Sequence, residues 1–224
     1  MNKPILEAKG LIKSFPVDGQ KLEVLHDVDL TISPGEFVAV RGPSGCGKST
    51  LLHLLGLMSK PSAGEVLVRG RPTAGLRESQ RAKLRCETFG FVFQRFNLLS
   101  VISGRENVAL TLRLRGWPHD PDRIRELLDE VGLGDEVSRK PGALSMGQQQ
   151  RIAIAMALVH DPAVLLADEP TGNLDSETAD RIGDLFDRLN RRLELAIVMV
   201  THSEQASARA GRVVTMRDGR MVQT

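Results

Sequence analysis

Short runs of consecutive apolar residues alternate along this chain with stretches in which apolar residues recur at helical spacing. Continuous apolar runs suit strands covered on both faces, and their alternation with amphipathic helices predicts an α/β domain with a largely parallel sheet. The runs are Phe37–Val40, Phe89–Phe93, Ala163–Ala167 and Leu195–Val200. Ahead of them, Ile5–Ala8 and Leu22–Ile32 read as antiparallel strands, the second placing Val24, His26, Val28, Leu30 and Ile32 on one face. Pro16–Gly19 reads as the turn between them. A helix is expected over Leu51–Leu57.

From Leu98 to His160 the strand signal fades, and helical patterns occupy Arg105–Leu114, Asp122–Val131 and Met146–Val159. A helical lobe inserted into the α/β core is therefore expected. After Asp175, residues Ile182, Leu185, Phe186, Leu189 and Leu193 form one buried helical stripe. The segment Arg212–Val222, with Asp218-Gly219 between two apolar runs, predicts a hairpin.

Composition narrows the function classes. Hydrophobic residues make up 41% of the 224 positions and charged residues 26%, ordinary globular usage. The longest uninterrupted apolar run, Ile152–Val159, is far shorter than the about 18 residues of a membrane span. Lys plus Arg number 30 against 28 Asp plus Glu, too balanced for a dedicated nucleic-acid binder, so no direct nucleic-acid partner is expected. Met1–Gly10 lacks the apolar core of a secretory signal, which makes a cytoplasmic location the expectation. Cys46 and Cys86 belong to no Cys-x-x-Cys or Cys/His cluster, so reduced thiols are expected.

The chemistry begins at Gly42-Pro43-Ser44-Gly45-Cys46-Gly47-Lys48-Ser49, a G-x-x-x-x-G-K-[ST] pattern between a predicted strand and a predicted helix. Glycines let successive N–H groups turn inward onto a phosphate chain, and the helix adds its positive end. Lys48 then reaches the β- and γ-phosphates, and Ser49 a Mg²⁺ ion. The strand Ala163–Ala167 delivers Asp168 and Glu169 to its end: Asp168 is the candidate for the Mg²⁺ hydration shell, Glu169 for orienting and deprotonating water. Ser145 reads as the N-cap of the Met146 helix, and with Gly147 it offers a second anion site. Two phosphate-binding elements with one acid pair fit two chains that meet head to tail, each nucleotide lying between them.

Ser145-Met146-Gly147-Gln148-Gln149-Gln150-Arg151 resembles the signature motif of ATP-binding cassette (ABC) ATPases, and further motifs follow in that family's order over Ile5–Val222. The resemblance implies a P-loop NTPase (RecA-like) core with an N-terminal antiparallel β subdomain and an inserted α-helical subdomain. It treats 1–224 as one ATPase domain, 1–94 and 161–224 as the core with its β subdomain and 95–160 as the helical subdomain. It makes Gln94 the glutamine that touches Mg²⁺ and water and leads to the transmembrane contact. It makes Asp175, in Asn173-Leu174-Asp175, part of the loop crossing the dimer interface, and His202 the histidine contacting the γ-phosphate. Thr50 and Gln148 join the nucleotide-binding set, and Phe15 stands where the family often stacks adenine on tyrosine. Met146 departs from the family's usual glycine. The implied activity is ATP hydrolysis with Mg²⁺ at a homodimer interface, coupled to separate transmembrane permease subunits on the inner face of the membrane.

Two segments, Phe91–Leu99 and Asp168–Asp175, resemble the group containing lipoprotein-release and macrolide-export ATPases, which implies export or release of lipoprotein, peptide or drug. An ATPase of the same group that signals to a cell-division partner stays open. A P-loop small-molecule kinase is the third alternative, and it offers no use for Ser145–Arg151.

Overall fold

The computed structural model describes residues 3–17 and 19–222, apart from the side chain of residue 135. Its centre is a six-stranded sheet in the order β10-β9-β3-β8-β7-β6. The strands are β3 (Phe37–Arg41), β6 (Phe89–Val92), β7 (Val164–Asp168), β8 (Ala196–Thr201), β9 (Arg212–Arg217) and β10 (Arg220–Val222). All neighbours pair in parallel except β10, which turns back on β9 through Asp218-Gly219. The largely parallel sheet and the terminal hairpin therefore both form.

The apolar runs are continuous because both faces of this sheet are covered. Leu165, Ala167, Ile197 and Met199 point into one core with the helices α3 (Gly104–Leu114), α4 (Pro121–Glu130), α5 (Met146–Leu158) and α6 (Ser176–Leu193). Val164, Leu166, Val198 and Val200 point into another, shared with α1 (Lys48–Leu55) and a second sheet. The expected stripe of α6 lands in the first core with Ile182, Leu185, Phe186 and Leu189, while Leu193 at its end is exposed.

The second sheet is antiparallel, in the order β2-β1-β4-β5, with β1 (Leu6–Val17), β2 (Gln20–Ile32), β4 (Ala63–Val68) and β5 (Arg71–Pro72). Here two expectations are corrected. β1 runs far past Ala8, and the turn shrinks because Pro16 and Val17 still pair with Lys21 and Gln20; residue 18 of the expected turn lies outside the described residues. Nor does one alternation hold along β2. Pairing jumps from Leu11–Val28 to Lys13–Leu25, so β2 carries one residue more than β1 there, with Asp27 at φ 55°. Leu25 thereby joins Val28, Leu30 and Ile32 in the core, and Val24 and His26 are left half-buried. Like β4 and β5, the helices α2 (Glu78–Thr88) and α7 (Glu204–Ser207) have no sequence expectation, and short 3-10 turns at Asp135–Ser138 and Pro141–Ala143 lead into α5.

Candidate active site

The loop after β3, the acid pair at the end of β7 and the histidine after β8 all lie at the C-terminal ends of parallel strands, where open α/β sheets bind ligands. Gly47 opens α1 at φ 104°, and a Cβ there would stand 2.8 Å from Leu25 Cδ2, so the loop closes against β2 only with glycine. The buried Lys48 folds back over the loop, donating to Gly42 O at 2.8 Å and Pro43 O at 2.9 Å. Cys46 is a buried filler; its amide makes a long 3.4 Å turn bond to Pro43 O, and its carbonyl accepts from Gly219 N at 3.0 Å. Gly219 O in turn accepts from His26 N at 2.9 Å, so the β9–β10 turn braces the loop against β2. Pro43, Ser44, Gly45 and Ser49 are exposed and Thr50 half-buried. A cleft of about 150 Å³ is lined by Gly45, Gly47, Lys48, Ser49, Thr50 and Val24.

Ser49 Oγ donates to Asp168 Oδ1 at 2.9 Å, which joins the loop to the end of β7. Burial pushes the Asp168 carboxyl above its ordinary range, against the lowering effect of the Ser49 bond. Glu169 Oε1 lies 3.8 Å from Lys48 Nζ and 3.0 Å from His202 Nδ1, and its Oε2 accepts from His202 N at 3.3 Å. Gln94 Nε2 donates to Asn173 Oδ1 at 3.2 Å, and Asn173 Nδ2 returns a bond to Gln94 O at 2.9 Å. Loop, acids and histidine thus form one connected group, with Gln94 held beside it through Asn173.

Ser145, Gly147, Gln148 and Asp175 gather elsewhere, at the starts of α5 and α6. Ser145 Oγ accepts from Gln148 N at 3.2 Å while Gln148 Oε1 accepts from Ser145 N at 2.9 Å, a reciprocal cap. Asp175 caps α6 by accepting from Thr178 N at 3.0 Å, and that bond holds its carboxyl below the usual range. A Cβ on Gly147 would stand 2.5 Å from Thr178 Cγ2, so the two helix starts touch where the glycine is. Met146 is exposed. Phe15 is 39% exposed, with Lys13 Nζ 4.9 Å from its ring centre, and is absent from the apolar cores.

Sequence reasoning gave no role to Val24, Gln150 or Thr178. In the sequence Val24 shares one alternating face with Val28, Leu30 and Ile32, and the bulge at Asp27 breaks that alternation. Gln150 carried a usable signal, a polar residue three positions after Gly147 and four before Ile154, on the apolar side of α5.

A glycine loop, its lysine and hydroxyl and two strand-end carboxylates, with a separate capped helix start on the same chain, define a P-loop nucleotide-binding cassette. The chain belongs to the ABC transporter family, which it matches over residues 25–172. As such it is an ATP-binding and ATP-hydrolysing cassette. It is 43% identical to the lipoprotein-releasing system ATP-binding protein LolD of Syntrophus aciditrophicus (strain SB), covering 97% of this chain and 99% of that protein. It is 48% identical to the macrolide export ATP-binding/permease protein MacB 1/2 of Paracoccus denitrificans (strain Pd 1222), over 98% of this chain. There it spans only 33% of the relative's length. Among solved structures, the dimeric bacterial ABC transporter cassette MJ0796 superposes with a TM-score of 0.89 at 37% identity, covering 97% of each chain. A post-hydrolysis state of the same cassette, bound to ADP and Pi, superposes equally well, with a TM-score of 0.89. Among the described residues, no helix is long and apolar enough to cross a membrane.

Proposed function

We propose that two copies of this chain clasp ATP between the Gly42–Thr50 loop of one and the Ser145 end of α5 of the other. Closure and hydrolysis then drive a separate membrane permease in the export or release of lipoprotein, peptide or drug. The observation that carries the reading is the separation just described. Lys48, Ser49, Asp168, Glu169 and His202 converge, whereas the second anion-binding element, Ser145 with Gly147, begins a different helix and is bonded within its own turn.

In this reading Lys48 turns from the loop carbonyls to the β- and γ-phosphates, and the loop amides with the first turn of α1, including Thr50, surround them. Glu169 takes the proton of the attacking water, while His202, bonded to both of its oxygens, fixes the carboxylate and faces the γ-phosphate. The partner's Ser145 and Gly147 offer hydroxyl and amide donors to charge developing on the γ-phosphate. Asp175 crosses the interface beside them, and Phe15 supplies an accessible ring face for the adenine.

Ser49 and Asp168 fit a Mg²⁺ ion. Both present hard oxygens, already 2.9 Å apart, and a nearby cation would favour the charged form of the half-buried Asp168. Among the described residues no group of three or more His, Cys, Asp or Glu side chains stands ready for a metal, so the ion would take its other ligands from phosphate and water, with Gln94 alongside. When bound, it neutralises phosphate charge.

Residues 95–160 act as the helical subdomain and 1–94 with 161–224 as the core with its β subdomain. Between them, following Gln94, an aromatic groove of about 140 Å³ is lined in part by Phe91, Phe93, Phe96, Asn97, Thr111 and Arg115. It suits a helical segment of the permease, which would hold the cassette on the cytoplasmic face of the membrane.

Glu169→Gln tests the reading. ATP binding should persist, a nucleotide-loaded dimer should accumulate in size-exclusion chromatography, and phosphate release should fall by about a hundredfold or more. Normal turnover by a monomer would remove both the base and the shared site. A permease recovered with the chain from membranes, with ATPase stimulated by its substrate, supports transport, whereas a cell-division partner redirects it to signalling.

A further inference from the structure

A buried amide ties α5 to the turn that carries Glu169. Gln150 is fully buried, its Nε2 donates to Pro170 O at 2.8 Å, and its Oε1 has no hydrogen-bond partner among the described residues. Leaving a buried acceptor unpaired costs about 1–3 kcal/mol, which an unbranched apolar side chain of the same length would avoid. The single bond it does make therefore has to be weighed against that cost.

The turn it reaches is strained. Glu169 has φ 45°, in the left-handed region, and it precedes a proline, a position that sterics push toward extended backbone. Such a conformation costs on the order of 1–3 kcal/mol and persists only where the surroundings impose it. Here Glu169 N donates to Val200 O at 3.0 Å, Gly172 N donates to Glu169 O at 3.0 Å, and Gln150 holds Pro170 O. The first bond comes from β8 and the second from the turn itself. Only the third comes from another layer of the molecule.

We infer that Gln150 is a positioning residue for hydrolysis: its bond to Pro170 fixes the Glu169 carboxylate and links it to the helix that begins at Ser145. The inference rests on Glu169 as the base and on Ser145 as the end facing the partner's nucleotide. Gln150 lies five residues into α5 from Ser145, about 7.5 Å along the axis, so a tilt of α5 on seating a phosphate reaches the Pro170 carbonyl directly.

Gln150→Met keeps volume and helix propensity while deleting the donor and the orphaned acceptor together. The expected result is unchanged or raised Tm, ATP affinity of the monomer within about twofold, and kcat lower by about tenfold or more, since small misplacements of a reacting group carry losses of that order. Adding Gln150→Met to Glu169→Gln should slow single turnover no further, because the glutamine acts through the carboxylate already removed. Gln150→Leu repeats the measurement with a different apolar shape. Wild-type kcat in both variants overturns the inference, as does a kcat loss that tracks lost Tm or lost ATP affinity, or one that multiplies with Glu169→Gln. Failure of the underlying reading shows separately, as turnover surviving in Glu169→Gln alone.

Discussion

Asp168, proposed above as a Mg²⁺ ligand, shows how such a side chain works against the stability of the free chain. Its carboxyl is pushed up by burial, so at neutral pH the folded protein carries a carboxylate that it would hold more easily protonated. Asp168→Asn keeps an oxygen for the Ser49 hydroxyl and removes the half-buried charge. Without nucleotide, the variant should melt at a higher temperature than the wild type. The gap should narrow as pH falls, because the folded wild type then takes up its proton more readily than the unfolded chain. If Asp168 holds Mg²⁺ as proposed, the variant's ATPase with added Mg²⁺ should fall by about a hundredfold. A melting series against pH with parallel phosphate-release assays measures both. Gly147 belongs to the same scale. Gly147→Ala places a Cβ against the methyl of Thr178, a stiff β-branched side chain, and should cost about 1–3 kcal/mol in urea unfolding. Thr178→Ser removes that methyl and should restore most of the loss. Spacing made Gly147 legible as part of an anion site, but its packing against α6 depends on a contact made 31 positions further along the chain.

At the scale of elements, the strands with both faces covered were legible because burial makes them continuous apolar runs, α3, α4 and α6 because each carries an apolar stripe, and α5 because its Ser145 cap opens an apolar run too long for a strand. α2 was not. Its buried residues are Arg81 and Thr88, so it shows no stripe. Arg81 and Arg85 instead donate to Leu57 O, and Arg81 also to Ser59 O, anchoring the helix to the chain just past α1. β4 escaped because its partner, the Leu6–Ala8 part of β1, lies far upstream, and its own apolar run is only Val66–Val68. The irregular joint between β6 and α5 carries a testable pH dependence. His160 is buried, its Nε2–H donates to Phe89 O at 3.1 Å, its Nδ1 has no partner among the described residues, and the Trp117 ring meets it edge to face. Burial, with Arg115 adding repulsion, lowers its pKa to about 4 from 6.5. The unfolded chain therefore binds this proton first as pH falls. The histidine's contribution, about 3 kcal/mol, is complete above the unfolded value and disappears as pH drops through the folded one. His160→Gln should flatten the stability profile between those limits in urea titrations.

For the whole molecule, the decisive property is that the two elements proposed to bind phosphate sit on separate helices of one chain, with Gly147 and Thr178 joining α5 to α6 and Ser49 and Asp168 joining the loop to β7. A mixing experiment exposes the consequence. Lys48→Ala removes the ammonium that the loop holds ready, so this variant should lose tight ATP binding but keep an intact Ser145 end. Ser145→Arg removes a cap worth about 0.5–2 kcal/mol and sets a bulky cation at the contact face, so it should bind ATP as a monomer without pairing. Each variant alone should be nearly inactive. Mixed, they can form a heterodimer in which the intact loop of one chain faces the intact Ser145 of the other, while the opposite site carries both lesions. ATPase should therefore return as one variant is titrated into a fixed amount of the other, and saturate when every copy of the limiting chain is paired. Activity that stays at the sum of the separate variants at every ratio would mean that each copy assembles its nucleotide site alone.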